Sequence, residues 1–522
     1  MFRQLTECRR LRKSEANRTK ESAMEKTFDA LLARMQELRD LGGLIGLATW
    51  DQETYLPPKG AESRAHQLST LQGLYHERLV DPRLGELLAW AADNKSLSDD
   101  QRAMARVLIQ ERDRAVKVPK ALVKALAEAQ TRGIMAWREA RKQNRFSVFQ
   151  PALQRMLGLR REQADAYGHD GERYDALLEG YEPGMRVARL TPVLSALRDN
   201  LIPLVAALQA APRKVGDFFE GRRFDPEAQW RFTLRLLGDM GFDLEAGRQD
   251  KSVHPFSSGH HPTDVRLTTD IEEGTLTALF SSLHEGGHGL YEQGFSEAHY
   301  RTPLANAPSM GLHESQSRMW ENLVGRGRPF WTHYFPALRE AFPEVLAGVD
   351  LDTFHAAVNR VTPSLIRVEA DEVTYNLHIV LRYELELLLV RDALPLDELP
   401  SAWGERMRRF LGITPPDDTQ GVLQDIHWAW GEFGYFPTYS LGNLYAASLY
   451  RAAQRAMPGL EEGLARGELK SLRDWLRTHV HAEGYRQPAE ELVRKVTGQG
   501  LTDTDFLAYL KSKYGALYGV SL

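Results

Sequence analysis

A helical period dominates this chain from Glu25 to its C-terminus, and no other feature restricts the fold as strongly. Phe28, Leu31, Leu32, Met35 and Leu38 recur at three and four residues with Glu, Arg and Asp between them, the pattern of a helix with one buried face. A turn-rich break follows at Tyr55-Leu56-Pro57-Pro58-Lys59-Gly60, and the period resumes through Leu68, Leu71, Leu74 and His76. Charged amphipathic stretches run from Ser98 to Asn144 and from Val148 to Tyr167, and Glu182-Pro183-Gly184 and Ala211-Pro212 bracket another around Leu190 to Leu208. No repeat of fixed period and no low-complexity linker interrupts them. The expectation is a mainly α protein, one continuous domain over residues 24–522. Residues 1–23 are charged throughout and carry the basic run Arg9, Arg10, Arg12, Lys13. No apolar run of the kind a secretion signal needs follows them, so they read as a disordered extension or a start placed ahead of Met24.

Composition narrows the function classes. The 66 Lys and Arg stand against 71 Asp and Glu, a formal charge of −5, so there is no basic excess to neutralise phosphates and a nucleic-acid partner is not expected. The longest apolar segment, Leu377 to Val390, is broken by His378, Arg382, Glu384 and Glu386, short of the roughly 18–20 apolar residues that span a bilayer. No membrane partner is expected. A single cysteine, Cys8, excludes an intramolecular disulfide framework and a cysteine-based zinc cluster, and points to a reducing, cytoplasmic location. Any metal site must be built from histidine and carboxylate.

One segment departs from the helical period. In Asp264-Val265-Arg266-Leu267-Thr268-Thr269-Asp270-Ile271 apolar and polar side chains alternate through Leu267, as on a half-buried strand, and Ile271 continues the phase. Helical spacing returns at Leu276, Leu279, Phe280, Leu283 and Leu290, and this helix carries His284-Glu285-Gly286-Gly287-His288. Residues four apart share a helix face, so both imidazoles reach one ion, while Glu285 lies about 100° round from His284. Two neutral histidines bind Zn²⁺, and an adjacent carboxylate that does not ligate serves as the base. A chance match in a chain of this length has a probability of roughly 0.03. Gly286, Gly287 and Gly289 weigh further against chance, because each costs a helix about 0.8–1 kcal/mol relative to alanine; close approach of another backbone or of substrate accounts for them.

A catalytic zinc needs a third protein ligand. Glu314, in the helical run His313 to Asn322, is the first candidate, 26 residues past His288. Glu297 and Glu292 are weaker, Glu292 because it shares the helix of the histidines and is expected to point away. His313 is an alternative ligand or a neighbour of one. The set His284, His288 and Glu314 is of the thermolysin type.

Further motifs occur in order along the chain: His254-Pro255-Phe256, Asp264 to Thr268, His284 to His288, His313-Glu314-Ser315, Ile366-Arg367-Val368-Glu369-Ala370-Asp371, and Gly421 to Trp428. Together with Trp50 to Tyr55, Tyr174 to Leu178, Gly434 to Tyr439 and Glu490 to Val493, they resemble the carboxypeptidase Taq family of thermostable zinc metallocarboxypeptidases from Glu25 to the C-terminus. The resemblance implies a two-lobed, mainly α body with a deep groove, a small β-sheet beside the active site, and a homodimer. It implies removal of single residues, proline excepted, from peptides with a free C-terminal carboxylate, with Zn²⁺ or Co²⁺ as the metal.

In that setting Arg367 is the first choice for the terminal carboxylate, which a planar guanidinium grips with two parallel hydrogen bonds. It is read as opening a helix from Ile366 to Val390, with Asp371 four residues on to hold it. Arg266, on an expected edge strand that could pair with substrate, is second. His427 and Tyr435, eight residues apart with Gly431 and Gly434 between, are assigned to the oxyanion, with Tyr439 as alternate. Trp428, Trp430, Phe433, Phe436 and most of their aromatic neighbours read as core. His254, His260, His261 and His378 read as hydrogen-bonded or supporting residues. The expected reaction is metal-assisted hydrolysis with Glu285 as general base; the rivals are a thermolysin-type oligoendopeptidase and a helical scaffold that has lost activity.

Overall fold

The computed structural model describes residues 27–522; the stretch 1–23 lies outside them. Helix α1 (Phe28–Thr54) starts at Thr27, whose hydroxyl accepts the Ala30 N–H, and stops at the Pro57-Pro58 break. Helices α2 (Ala61–Val80), α3 (Pro82–Asp93) and α4 (Asp99–Lys117) follow. Ser98 and Gln101 close α4 with a reciprocal capping box. These four helices share a small core of their own, centred on Leu31, Met35, Leu84, Leu87 and Leu108, and Leu304 and Tyr485 reach into it from the rest of the chain. Within it α2 buries only Leu79; Leu68 and Leu71 are half-buried and Leu74 is exposed.

The second, larger core gathers everything downstream. It begins with α5 (Lys120–Gln143) and α6 (Phe146–Tyr167). The stretch read as continuous from Ser98 to Asn144 is therefore two helices. Pro119, which lacks an N–H and restricts the residue before it, divides them. Helix α7 (Val187–Ala210) is long and apolar enough by length and composition to cross a membrane, yet it spends that character inside the protein. Leu190, Leu194, Leu197 and Leu201 are fully buried. Helix α8 (Pro226–Met240) buries Phe232, Leu236, Leu237 and Met240 in this core.

Strands β1 (Gly247–Lys251), β2 (Ser257–His261) and β3 (Asp264–Thr269) form the one sheet of the described residues, in the order β1-β3-β2. β1 runs parallel to β3, Gly247 opposite Val265, and β2 runs antiparallel to it, Ser257 opposite Leu267. The alternation read from sequence is present, with Val265 and Leu267 fully buried. The edge position expected for Arg266 is not: β3 is the central strand, both its hydrogen-bonding edges are occupied, and it cannot add a substrate strand.

Helix α9 (Thr277–Glu292) lies across β3, and α10 (Met310–Arg318) crosses α9 and runs on into a π-helical turn, Met319–Val324. Their approach depends on Gly287, where a Cβ would stand 2.5 Å from the Gln316 carbonyl oxygen and 2.8 Å from Ser317 Cα. No side chain fits there. Helix α11 (Tyr375–Val390) and helix α12 (Pro437–Ala456) close the core, and α12 presses on α10 where Gly442 faces the side chain of Glu314. α11 starts at Tyr375 rather than Ile366. Asp371 accepts the N–H groups of Val373 and Thr374 at 2.9 and 3.0 Å, closing a turn ahead of the helix, and Arg367 sits in a separate single turn, Arg367–Glu369.

Candidate active site

The two histidines four apart on α9 do share a face, with ring centroids 5.0 Å apart. Against them α10 brings Glu314, whose Oε2 lies 3.6 Å from His284 Nε2 and 3.4 Å from His288 Nε2. Tetrahedral zinc with bonds of about 2.0–2.2 Å sets its donors about 3.3 Å apart, so these three atoms fit one ion. Among the described residues this is the one group of three or more His, Cys, Asp or Glu side chains spaced for a metal.

The remaining nitrogens and oxygens of the trio are occupied, which fixes the direction of each donor. His284 Nδ1 donates to Glu321 at 2.9 Å, leaving Nε2 with its lone pair. Glu314 Oε1 accepts from Arg318 Nε at 2.7 Å, and Ser317 Oγ donates to Oε2 at 3.0 Å. His288 Nδ1 meets His313 Nδ1 at 2.6 Å, and His313 Nε2 meets Glu292 at 2.8 Å. If Nε2 of His288 is the donor to a metal, its Nδ1 carries the proton and donates it to His313 Nδ1. His313 then carries its own proton on Nε2, toward Glu292. A carboxylate thus orients one ligand through an intervening histidine, an extension of the outer support that metal histidines require.

His313 is in this geometry a support and not a ligand. Glu292, expected to point away, stays on the face of His288 because it follows it by four residues; it reaches His313 instead of the ion position. Glu297 lies in a separate turn, Glu297–His299, away from the trio.

Electrostatics separate the carboxylates. Burial raises Glu314, but Arg318, His284 and His288 outweigh it and hold Glu314 well below the usual range. Burial likewise opposes ionisation of Glu321, and His284 and Arg318 bring it down to about 2. Glu285 is 6% exposed and makes no salt bridge among the described residues; burial, with Glu314 adding to it, outweighs His284 and a hydrogen bond from Ser257 and pushes it up to about 7. His288 is lowered to about 3 by burial and by His313. Two carboxylates of the site are therefore firmly ionised while Glu285 is poised to exchange a proton near neutrality.

All three groups open on a cleft of about 660 Å³ whose lining also includes Arg318, Arg367 and Tyr439. Arg367 is 7% exposed. Its Nε and Nη2 donate to Asp425 Oδ1 at 3.0 and 2.9 Å, and Nη1 donates to the Tyr375 hydroxyl at 3.2 Å. Asp425 Oδ2 accepts from Arg382 Nε at 2.6 Å, so two buried guanidiniums share one carboxylate and leave a net positive charge at the cleft wall. Asp371, the partner read from the i, i+4 spacing, is bound into the turn ahead of α11 by Val373 and Thr374 and does not touch Arg367. Arg266 grips Asp264 at 2.8 and 3.1 Å and lies over Trp50 of α1, 4.3 Å from the ring centre; it is not among the residues lining the cleft.

The profile of one family, described as carboxypeptidase Taq (M32) metallopeptidase, matches residues 4–514. The chain belongs to the M32 family. It is 46% identical over 508 residues to thermostable carboxypeptidase 1 of Thermus thermophilus, covering 95% of this chain and 99% of that one. Carboxypeptidase 1 of Bacillus subtilis is 36% identical over 496 residues, 95% and 98% of the two chains. The crystal structure of an M32 carboxypeptidase from Deinococcus radiodurans superposes with a TM-score of 0.92 at 42% identity, covering 95% of this chain and all of that one. The resemblance read from the ordered motifs is borne out: this is a metal-dependent carboxypeptidase with a mainly α fold and a small sheet beside its cleft.

The remaining residues of this M32 site divide into placed and displaced. Tyr439 lines the cleft, while His427 and Tyr435 pack against it without lining it. His427 Nε2 is 3.4 Å from the Tyr439 hydroxyl, and the His427 and Tyr435 rings stack at 5.6 Å. Burial lowers His427 to about 4 and raises the Tyr435 hydroxyl, so the histidine is neutral at neutral pH. Trp428, Phe433 and Phe436 are core as read, but Trp430 is 36% exposed. His254 is exposed, and His261 meets Thr263 at 2.8 Å. His260 and His378 depart from the reading, for neither ring nitrogen of either has a partner among the described residues. Sequence reasoning passed over Arg318, Glu321, Asp425 and Arg382. A signal existed for the first two, which follow Glu314 by one and two helical turns; the others lie too far along the chain for any local pattern.

Proposed function

We propose that this chain removes single residues from the free C-termini of peptides, proline excepted, with a divalent metal, zinc or cobalt, held by His284, His288 and Glu314. The observation that carries the reading is the convergence of three donors, two of which, His284 and Glu314, line one cleft together with the buried carboxyl of Glu285 and the guanidinium of Arg367. Zinc in such a donor set acidifies water and polarises a carbonyl.

The chain's own residues supply the rest. Glu285, raised toward neutrality by burial, accepts the proton of the attacking water and delivers it to the leaving amine. Arg367, pre-set by Asp425 and Tyr375, receives the terminal carboxylate and brings only the last peptide bond into register with the base. Tyr439 at the cleft, with His427 and Tyr435 packed behind it, forms a linked polar-aromatic group that supplies hydrogen-bond donors to the oxyanion of the scissile carbonyl. Arg266 holds the first helix to the sheet. A homodimer and a cytoplasmic location belong to the proposal through the family and the single cysteine.

One short peptide, as free acid and as C-terminal amide, tests the reading in wild type and Glu285→Gln, with metal content read by mass spectrometry. Stepwise loss of terminal residues from the free acid alone, abolished in a variant that keeps its metal, is the expected result. Equal cleavage of the amide at an internal bond would remove Arg367 from its role and leave an oligoendopeptidase.

A further inference from the structure

Helix α11 holds a fully buried carboxylate that the reaction scheme does not use. Glu386 is 0% exposed and makes no salt bridge among the described residues, although a buried carboxylate without a cation is expensive to keep. Three donors converge on it. Trp428 Nε1 donates to Oε1 at 2.8 Å, while the Tyr174 hydroxyl and the Gly434 N–H donate to Oε2 at 2.7 and 3.1 Å. Two of these donors flank the residues assigned to the oxyanion: Trp428 follows His427, and Gly434 precedes Tyr435. The third belongs to the short helix Arg173–Leu178, a segment singled out by sequence and given no part in the chemistry.

The backbone around Gly434 shows how tightly this point is held. Gly434 has φ +90°, and a Cβ there would stand 2.9 Å from the Leu178 N and 3.0 Å from the Leu177 carbonyl carbon. Its position is therefore set by contact with the short helix on one side and by Glu386 on the other. One turn earlier on α11, Arg382 binds Asp425, two residues before His427. Successive turns of one helix thus grip the segment 425–435 at both ends. A glutamine at 386 could satisfy at most two of the three donors, since a single carbonyl oxygen replaces two acceptor oxygens and its NH₂ would face the remaining donor.

We infer that Glu386 is a positioning residue for catalysis, fixing His427 and Tyr435 relative to the metal ligands through Trp428, Gly434 and Tyr174. This rests on the reading that His427 and Tyr435 act on the scissile carbonyl. Their contribution belongs to the transition state, so loss of their placement lowers kcat and leaves KM.

The test is steady-state kinetics on a free-acid peptide with Glu386→Gln, the double variant His427→Gln/Tyr435→Phe, and the triple combination, metal content measured in each. The expected result is a kcat about tenfold to a hundredfold lower for Glu386→Gln with KM within about threefold and metal unchanged. In the triple variant the same change costs less than about twofold further, because the groups it positions are gone. An equal loss in both backgrounds would mean a general structural role and would overturn the inference, as would wild-type kcat in Glu386→Gln beside a damaged double variant. Wild-type kcat in the double variant would instead remove His427 and Tyr435 from the reaction, and the inference with them. Should Glu386→Gln fail to fold, Trp428→Phe, which deletes one donor and keeps a ring, is expected to show the same kcat loss at constant KM; unchanged kcat there overturns the inference.

Discussion

Asp425 is the one carboxylate shared by Arg367 and Arg382. It is buried between Arg367 and Arg382; burial works against its charge, and the two guanidiniums hold it far below the ordinary carboxylate range. Removing it leaves two buried cations with no counter-charge, a change that destabilises a fold by about 3–5 kcal/mol. Asp425→Ala is therefore expected to lower the urea midpoint substantially and to raise KM for free-acid peptides, while Asp425→Asn keeps the shape and loses less. Equal stability of wild type and Asp425→Ala in urea would show that the pair of arginines does not depend on it. The contrast between Arg367 and its partner also shows where sequence reading stops at this scale. Arg367 is singled out by sequence because a terminal carboxylate calls for a guanidinium, and it does line the cleft, but the partner expected for it lies four residues away on an assumed helix. The true partner is 58 residues on, and nothing local announces it. The grouping of His284, His288 and Glu314 needed only helical spacing and the donor chemistry of a metal, so it was legible.

At the scale of elements, α10 is held at its N-terminus by a buried acid. Glu182 is 1% exposed and accepts the N–H of Gly311, while Ser309 accepts that of Leu312 at 3.0 Å. Burial pushes Glu182 up to about 8 despite those hydrogen bonds. The linkage follows with a definite sign. Below pH 4.5 the group is protonated folded and unfolded; between 4.5 and 8 only the unfolded chain releases the proton, so stability falls as pH rises across that window. Glu182→Gln abolishes this dependence. In urea unfolding at pH 5 and pH 8, wild type is expected to lose on the order of a few kcal/mol relative to Glu182→Gln, and a gap that does not change with pH would sink the argument. The elements themselves were legible where a period and a stop signal coincided, as at α1 with Pro57-Pro58 or at α9 with its histidines. They were misread where one residue altered the path inside a continuous pattern: Pro119 divided a helix, and Asp371 delayed another. Strand order was beyond reach for a different reason, since alternation marks a strand as half-buried without saying which neighbour lies on either side.

Across the whole molecule the two cores differ in size and in what holds them. Helices α1 to α4 share their small core with only Leu304 and Tyr485 from the rest of the protein, and α2 buries a single leucine. Local stability tracks buried apolar contact. Amide hydrogen exchange is therefore expected to be fastest, outside loops, along α2 and slowest along α11 and α12, whose residues are mostly buried. Slower exchange in α2 than in α12 would contradict this ordering. The larger core contains the site, and its central helix is unusual in composition: His378, Arg382 and Glu386 lie a turn apart, all 0% exposed. For anyone seeking a hardier enzyme, that line of polar residues is the tempting place to begin, because apolar replacements of buried ionic groups often stabilise a protein. Here the same replacements would release Asp425, Trp428 and Gly434 together. Selection for heat resistance alone would be drawn toward a robust helical body with its metal ligands in place and no grip on the substrate.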